Sequence, residues 1–87
     1  MKVNSNYVLK SVADSYIVVA LGGDMVDLNT IITLNETGAF IWKQLESDTT
    51  VDAIVSEMLK EYDVASDKAY ADVESFIAKI TEAGLMA

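Results

Sequence analysis

Cysteine, histidine, proline and arginine are all missing from this chain of 87 residues, and glycine occurs only four times. Without cysteine and histidine there is no thiolate or imidazole for zinc, haem or an iron–sulfur cluster, and the commonest nucleophiles and general bases are gone. No paired-carboxylate site takes their place, so the expectation is a non-enzyme with no cofactor and no metal. The missing cysteines also remove disulfide staples, which leaves apolar packing to hold the fold. Positive charge is scarce: six lysines stand against 14 Asp and Glu, a formal net charge of −8. That sign repels phosphate backbones and anionic lipid, so neither nucleic acid nor membrane is an expected partner. Long apolar runs are absent too. The longest, Ile17 to Leu21, falls far short of the roughly 20 residues that span a bilayer, and the opening stretch Met1–Asn6 has no signal core. Cytoplasm is the expected location.

What is present is a large apolar fraction, 52% of the chain. A single domain over residues 1–87 can bury only about 60% of the surface its unfolded chain exposes, which leaves apolar surface for a partner. From Tyr7 to Leu34 the residues are β-branched and aromatic, broken at Asp14–Ser15 and Gly22–Gly23–Asp24. This pattern predicts three antiparallel strands, at about 7–13, 16–21 and 25–34, joined as a meander. In the third, Val26, Leu28, Thr30, Ile32 and Leu34 share the better core face, while Met25, Asp27, Asn29, Ile31 and Thr33 share the other.

At Asn35 the period changes. Asn35-Glu36-Thr37-Gly38 supplies an N-cap side chain and a carboxylate for the first turn of a helix. That helix carries Ala39, Phe40, Ile41, Trp42 and Leu45 and should be central. Thr49 or Thr50 can cap a second helix with an apolar stripe of Val51, Ile54, Val55, Met58, Leu59 and Tyr62. Ser66 can cap a third, with Tyr70, Val73, Phe76, Ile77 and Ile80 along one side. Gly84 at a left-handed C′ position would end it and let Leu85 fold back onto Ile80. The fold class is therefore α+β, a three-stranded antiparallel sheet followed by three helices.

The segments Leu34-Asn35-Glu36-Thr37-Gly38-Ala39-Phe40-Ile41-Trp42, Thr50–Val55, Leu59–Val64 and Ala83-Gly84-Leu85 together resemble the PqqD-like family, named for protein D of pyrroloquinoline quinone biosynthesis. The likeness runs over about residues 25–87. It implies a winged helix-turn-helix-like domain that recognises the leader segment of a ribosomally made precursor peptide and has no catalysis of its own. By the same resemblance, the leader adds as a strand beside the third strand, with apolar side chains against the third helix. A modifying enzyme, often a radical SAM protein, is the other partner. Ser47-Asp48 stands where many relatives have an Asp-Gly turn, and Leu28–Thr33 lacks an aromatic, glycine-containing pattern, which leaves the pathway open.

The physics of that mode is sheet-edge augmentation, in which backbone hydrogen bonds give affinity and side-chain pockets give specificity. The residues expected to line it are Asp27, Asn29, Ile31 and Thr33 on the strand and Ala69, Tyr70, Val73 and Ile77 on the helix. Each has a plainer reading as solvated edge or core. Asn35 reads first as a cap and Trp42 as core. The acidic charge reads first as solubility, and second as attraction to a basic leader or a basic patch on the enzyme. Asp24, Asp27 and Asn29 do not match an EF-hand loop. An exposed sheet edge would also permit a homodimer by strand exchange.

Two other functions fit the size and charge. An acidic carrier protein would need its Asp-Ser pair on a helix, but Asp14-Ser15 runs into the strand-forming Tyr16-Ile17-Val18-Val19. A winged-helix regulator would present Asp52, Glu57 and Glu61 against Lys60 on its recognition helix, the wrong sign for a phosphate-lined groove.

Overall fold

β-Branched and aromatic residues fit a pleated, half-buried surface, and those ahead of Asn35 build a sheet. The computed structural model describes residues 1–20 and 32–87. Within them β1 (Tyr7–Val12), β2 (Ser15–Ala20) and β3 (Ile32–Leu34) form an antiparallel sheet in the order β1-β2-β3. The register pairs Leu9 with Val18 and Val18 with Ile32. Side chains alternate across each strand, so Tyr7, Leu9, Val18, Ile32 and Leu34 all meet the core. The expected inward set of the third strand holds for Ile32 and Leu34. Its other members, together with Met25, Asp27, Asn29, Ile31 and the Gly22-Gly23-Asp24 turn, lie outside the described residues.

The first hairpin is tighter than expected. Val12 pairs with Ser15, so the loop is Ala13-Asp14, one residue earlier than the Asp14-Ser15 break. Ala13 adopts φ 54°, because two-residue hairpins need left-handed backbone to match strand twist. A residue bearing a Cβ carries about 1–2 kcal/mol of strain there.

Three helices follow: α1 (Glu36–Leu45), α2 (Val51–Glu61) and α3 (Ser66–Glu82). Asn35 caps α1, its side chain accepting from the Gly38 N–H at 2.7 Å. Of the two threonines, Thr50 caps α2, accepting from the Ala53 N–H at 3.2 Å. Ser66 is not a cap. Ala65 occupies that position in extended conformation with no side-chain bond, and Ser66 is the first helical residue. The nearby Asp67 carboxylate instead accepts from the Lys68 N–H at 2.9 Å. At the other end Gly84 takes φ 81°, the Leu85 N–H donates to the Ile80 carbonyl at 2.9 Å and the Gly84 N–H to that of Thr81 at 3.0 Å. This is the Schellman ending expected, and it buries Leu85.

The core gathers around α1. Trp42, Leu45 and Ile41 are fully enclosed by Ile54 and Met58 of α2, Val73 and Ile80 of α3, and Val18 of the sheet. Two residues depart from the expected stripes: Leu59 and Tyr70 are exposed. The small Ala69, one step from Tyr70 on α3, takes the buried position instead, because a methyl group suits a tight site that a phenol cannot enter.

The N-terminal residues lie across the ends of this arrangement. The Val3 N–H donates to the Leu45 carbonyl at 2.9 Å, the Asn4 N–H to that of Leu85 at 2.8 Å, and the Ala87 N–H to that of Lys2 at 3.0 Å. The Met1 ammonium reaches the Asp48 carboxylate at 2.6 Å and holds it below the usual carboxylate range. Among the described residues, no helix is long and apolar enough to cross a membrane.

Candidate functional site

Among the described residues, β3 is paired on one side only. It bonds to β2 through Tyr16–Leu34, Ile17–Thr33 and Val18–Ile32 pairs, and among the described residues nothing pairs with its other edge. Backbone donors and acceptors along such an edge are a template for another strand.

Beside it lies a groove of about 740 Å³. One wall is β3 continued by Asn35, Thr37 and Gly38 at the start of α1; the other is α3, through Lys68, Asp72, Ser75, Phe76 and Lys79. Ile41, Met58, Tyr62 and Val64 complete the lining. Ile41 and Met58 are nearly inaccessible, so the base is apolar and belongs to the core. The Phe40 ring meets the Tyr62 ring edge-on at 5.4 Å. Burial, aided by the nearby Glu36 and Glu61 charges, pushes the Tyr62 hydroxyl pKa up, so it stays protonated at neutral pH.

Gly38 explains itself here. A Cβ at that position would stand 3.2 Å from Cε2 of Phe76, 3.1 Å from Oδ1 of Asn35 and 3.5 Å from Cβ of Leu34. The first turn of α1 can thus sit against the Phe76 ring while Asn35 keeps its capping bond. The Leu34-Asn35-Glu36-Thr37-Gly38 motif builds one wall of the groove through Leu34, Asn35, Thr37 and Gly38: Leu34 ends the edge strand, Asn35 starts the helix, and Gly38 leaves room for the ring.

Of the residues expected at the site, Thr33 is exposed on β3 and borders the groove. Asp27, Asn29 and Ile31 lie outside the described residues. On α3, Ala69 and Val73 are buried in the core, and Ile77 is half-buried against it. Tyr70 leans away toward α2, where its hydroxyl donates to the Asp52 carboxylate, and that bond raises its pKa. The α3 residues that the structure brings to the groove are Lys68, Asp72, Ser75, Phe76 and Lys79. Their spacing could have disclosed them: positions 68, 72, 75, 76 and 79 fall on one helical face. Apart from Phe76, that face is polar and reads in sequence as a solvated surface.

The family model for coenzyme PQQ synthesis protein D (PqqD) matches residues 16–86. The chain belongs to the PqqD family. Two solved structures share the fold of this PqqD-family chain. One is described as TbiB1 in complex with the TbiA(beta) leader peptide, with TM-score 0.77 and 24% identity, covering 98% of this chain and 93% of that one. The other is described as lasso peptide synthetase B1 complexed with the leader peptide, with TM-score 0.75 and 17% identity, covering 97% and 93%. A search of curated proteins found no match.

Proposed function

We propose that this PqqD-family chain is a non-catalytic adaptor that binds the leader segment of a ribosomally synthesised precursor peptide and presents it to a modifying enzyme, such as a radical SAM protein. The observation that carries this reading is an edge of β3 that no described residue pairs, lying beside a groove with an apolar base. An extended guest would satisfy the β3 backbone groups on one side and seat alternate side chains against the half-buried Phe76 and Leu34, the mode of strand addition. Both structural relatives are described as complexes with leader peptides, which supports the same occupant here. On the strand, the contacts are those of Thr33 and, from the sequence pattern, Asp27, Asn29 and Ile31. On the helix, the accessible groups at Lys68, Asp72, Phe76 and Lys79 are the better contacts. Ala69, Val73 and Ile77 support that wall from behind.

The test is an NMR titration of the ¹⁵N-labelled chain with the leader peptide of a precursor encoded beside its gene. Amide shifts should cluster at residues 32–38 and 68–79. Shifts confined to the β1–β2 hairpin, or none at a peptide concentration of about 1 mM, corresponding to roughly −4 kcal/mol of binding, would refute the assignment.

A further inference from the structure

Among the described residues, the charged groups lining the groove sum to the opposite sign from the molecule. The chain carries a net charge of −8, yet the charged groups among the described residues lining the groove are two lysines, Lys68 and Lys79, and one aspartate, Asp72. A third of all the lysines therefore face one cleft. At physiological salt, interactions between exposed charges fade over about 8 Å, so a guest lying in the groove senses these lysines more than the acidic surface beyond.

Their placement is regular. Lys68 and Lys79 are eleven positions apart on α3, which returns them to nearly the same face and separates their Cα atoms by about 16 Å. Phe76 lies between them along the wall. The Lys68 ammonium is 3.4 Å from the Asp72 carboxylate, an exposed pair with the lysine on the N-terminal side, the weaker orientation on a helix. Lys79 has no carboxylate within pairing distance among the described residues.

Resting on the strand-addition reading, we infer that the groove selects an acidic guest: an extended peptide whose apolar anchor seats against Phe76 and which carries an Asp or Glu toward each lysine. A strand advances about 3.3 Å per residue, so the two carboxylates stand roughly four to six positions apart. Strand alternation favours an even spacing, which puts both on the helix side. This reverses the second reading of the overall charge, attraction to a basic leader. Lys79 is the stronger anchor, because Lys68 must share its charge with Asp72.

The test is selection of a phage-displayed library of random 12-residue peptides on the full chain, followed by affinity measurements with synthetic copies of the enriched peptides. Enriched peptides should pair an apolar residue with Asp or Glu at that spacing. Lys79→Gln and Lys68→Gln should each weaken them about two- to fivefold, the scale of a partly exposed ion pair, with Lys79→Gln the larger. Lys79→Glu should recover binding when the matching peptide carboxylate is changed to Lys. Enrichment of basic peptides, or of apolar ones indifferent to charge, overturns the acidic-guest inference and leaves strand addition standing. Failure to enrich any peptide overturns both.

Discussion

Two faces of α3 stand one helical step apart and obey different rules. On one, Ala69, Val73 and Ile80 are at most 1% exposed and belong to the central apolar cluster. On the other, Lys68, Asp72, Ser75 and Lys79 remain in contact with water while walling a groove. The inner face fixes where the helix lies; the outer face uses that position to set three turns of polar side chains opposite a strand edge that no described residue pairs. A peptide site built on a helix held by its own core is aimed without a loop. The contrast also separates the effects expected from mutation: inner-face changes cost folding, and outer-face changes cost binding.

The largest test of that separation is Ile80→Ala set beside Lys79→Ala. Ile80 is 1% exposed in the central cluster, and removing its outer carbons from a packed site costs about 2–5 kcal/mol. Lys79, its neighbour in sequence, should change stability by less than about 0.5 kcal/mol. Urea unfolding followed by fluorescence of Trp42, which is fully buried, measures both. Equal losses would mean that the outer face also holds the fold.

How far the sequence discloses these faces depends on what each residue contributes. The inner sides of the sheet, the α1 core and the Gly84 ending are legible, because alternation, a wide apolar surface and a left-handed glycine leave one arrangement that buries everything. Ala69 and Tyr70 invert because size misleads: sequence ranks the larger apolar residue as core, whereas close packing gives the buried place to the smaller. The cap of α3 eludes the sequence since Ser66 has a capping side chain, yet the chain enters the helix one residue earlier, at Ala65. The groove lysines pass for solvated surface; only the strand edge across from them gives their shared face a meaning.

A middle-sized effect should come from Asn35→Ala, which removes the acceptor for the Gly38 N–H at the junction of edge strand and α1. Loss of an N-cap side chain typically costs about 1 kcal/mol. The same bond orients the wall formed by Asn35, Thr37 and Gly38, so peptide affinity should fall with it. Asn35→Asp, which can still accept that bond, should restore most of the stability. If Asn35→Ala left the unfolding midpoint unchanged, the junction would be held by packing alone.

The sharpest test of the contrast is Gly38→Ala. Replacing glycine by alanine within a helix gains up to about 1 kcal/mol. Against that gain, the new methyl would stand 3.2 Å from the Phe76 ring and 3.1 Å from Oδ1 of Asn35, so both contacts must lengthen by a few tenths of an ångström. Phe76 is only half-buried and borders the groove, so its ring has space to move, whereas the Asn35 oxygen is held by a bond of 2.7 Å. The ring should therefore move the further of the two, leaving stability within about 1 kcal/mol of the parent while the anchor pocket narrows and peptide affinity drops. A loss of stability above about 2 kcal/mol with affinity unchanged would show the reverse: Phe76 would then be a core residue locked in place, and the boundary between the two faces of α3 would lie on the other side of it.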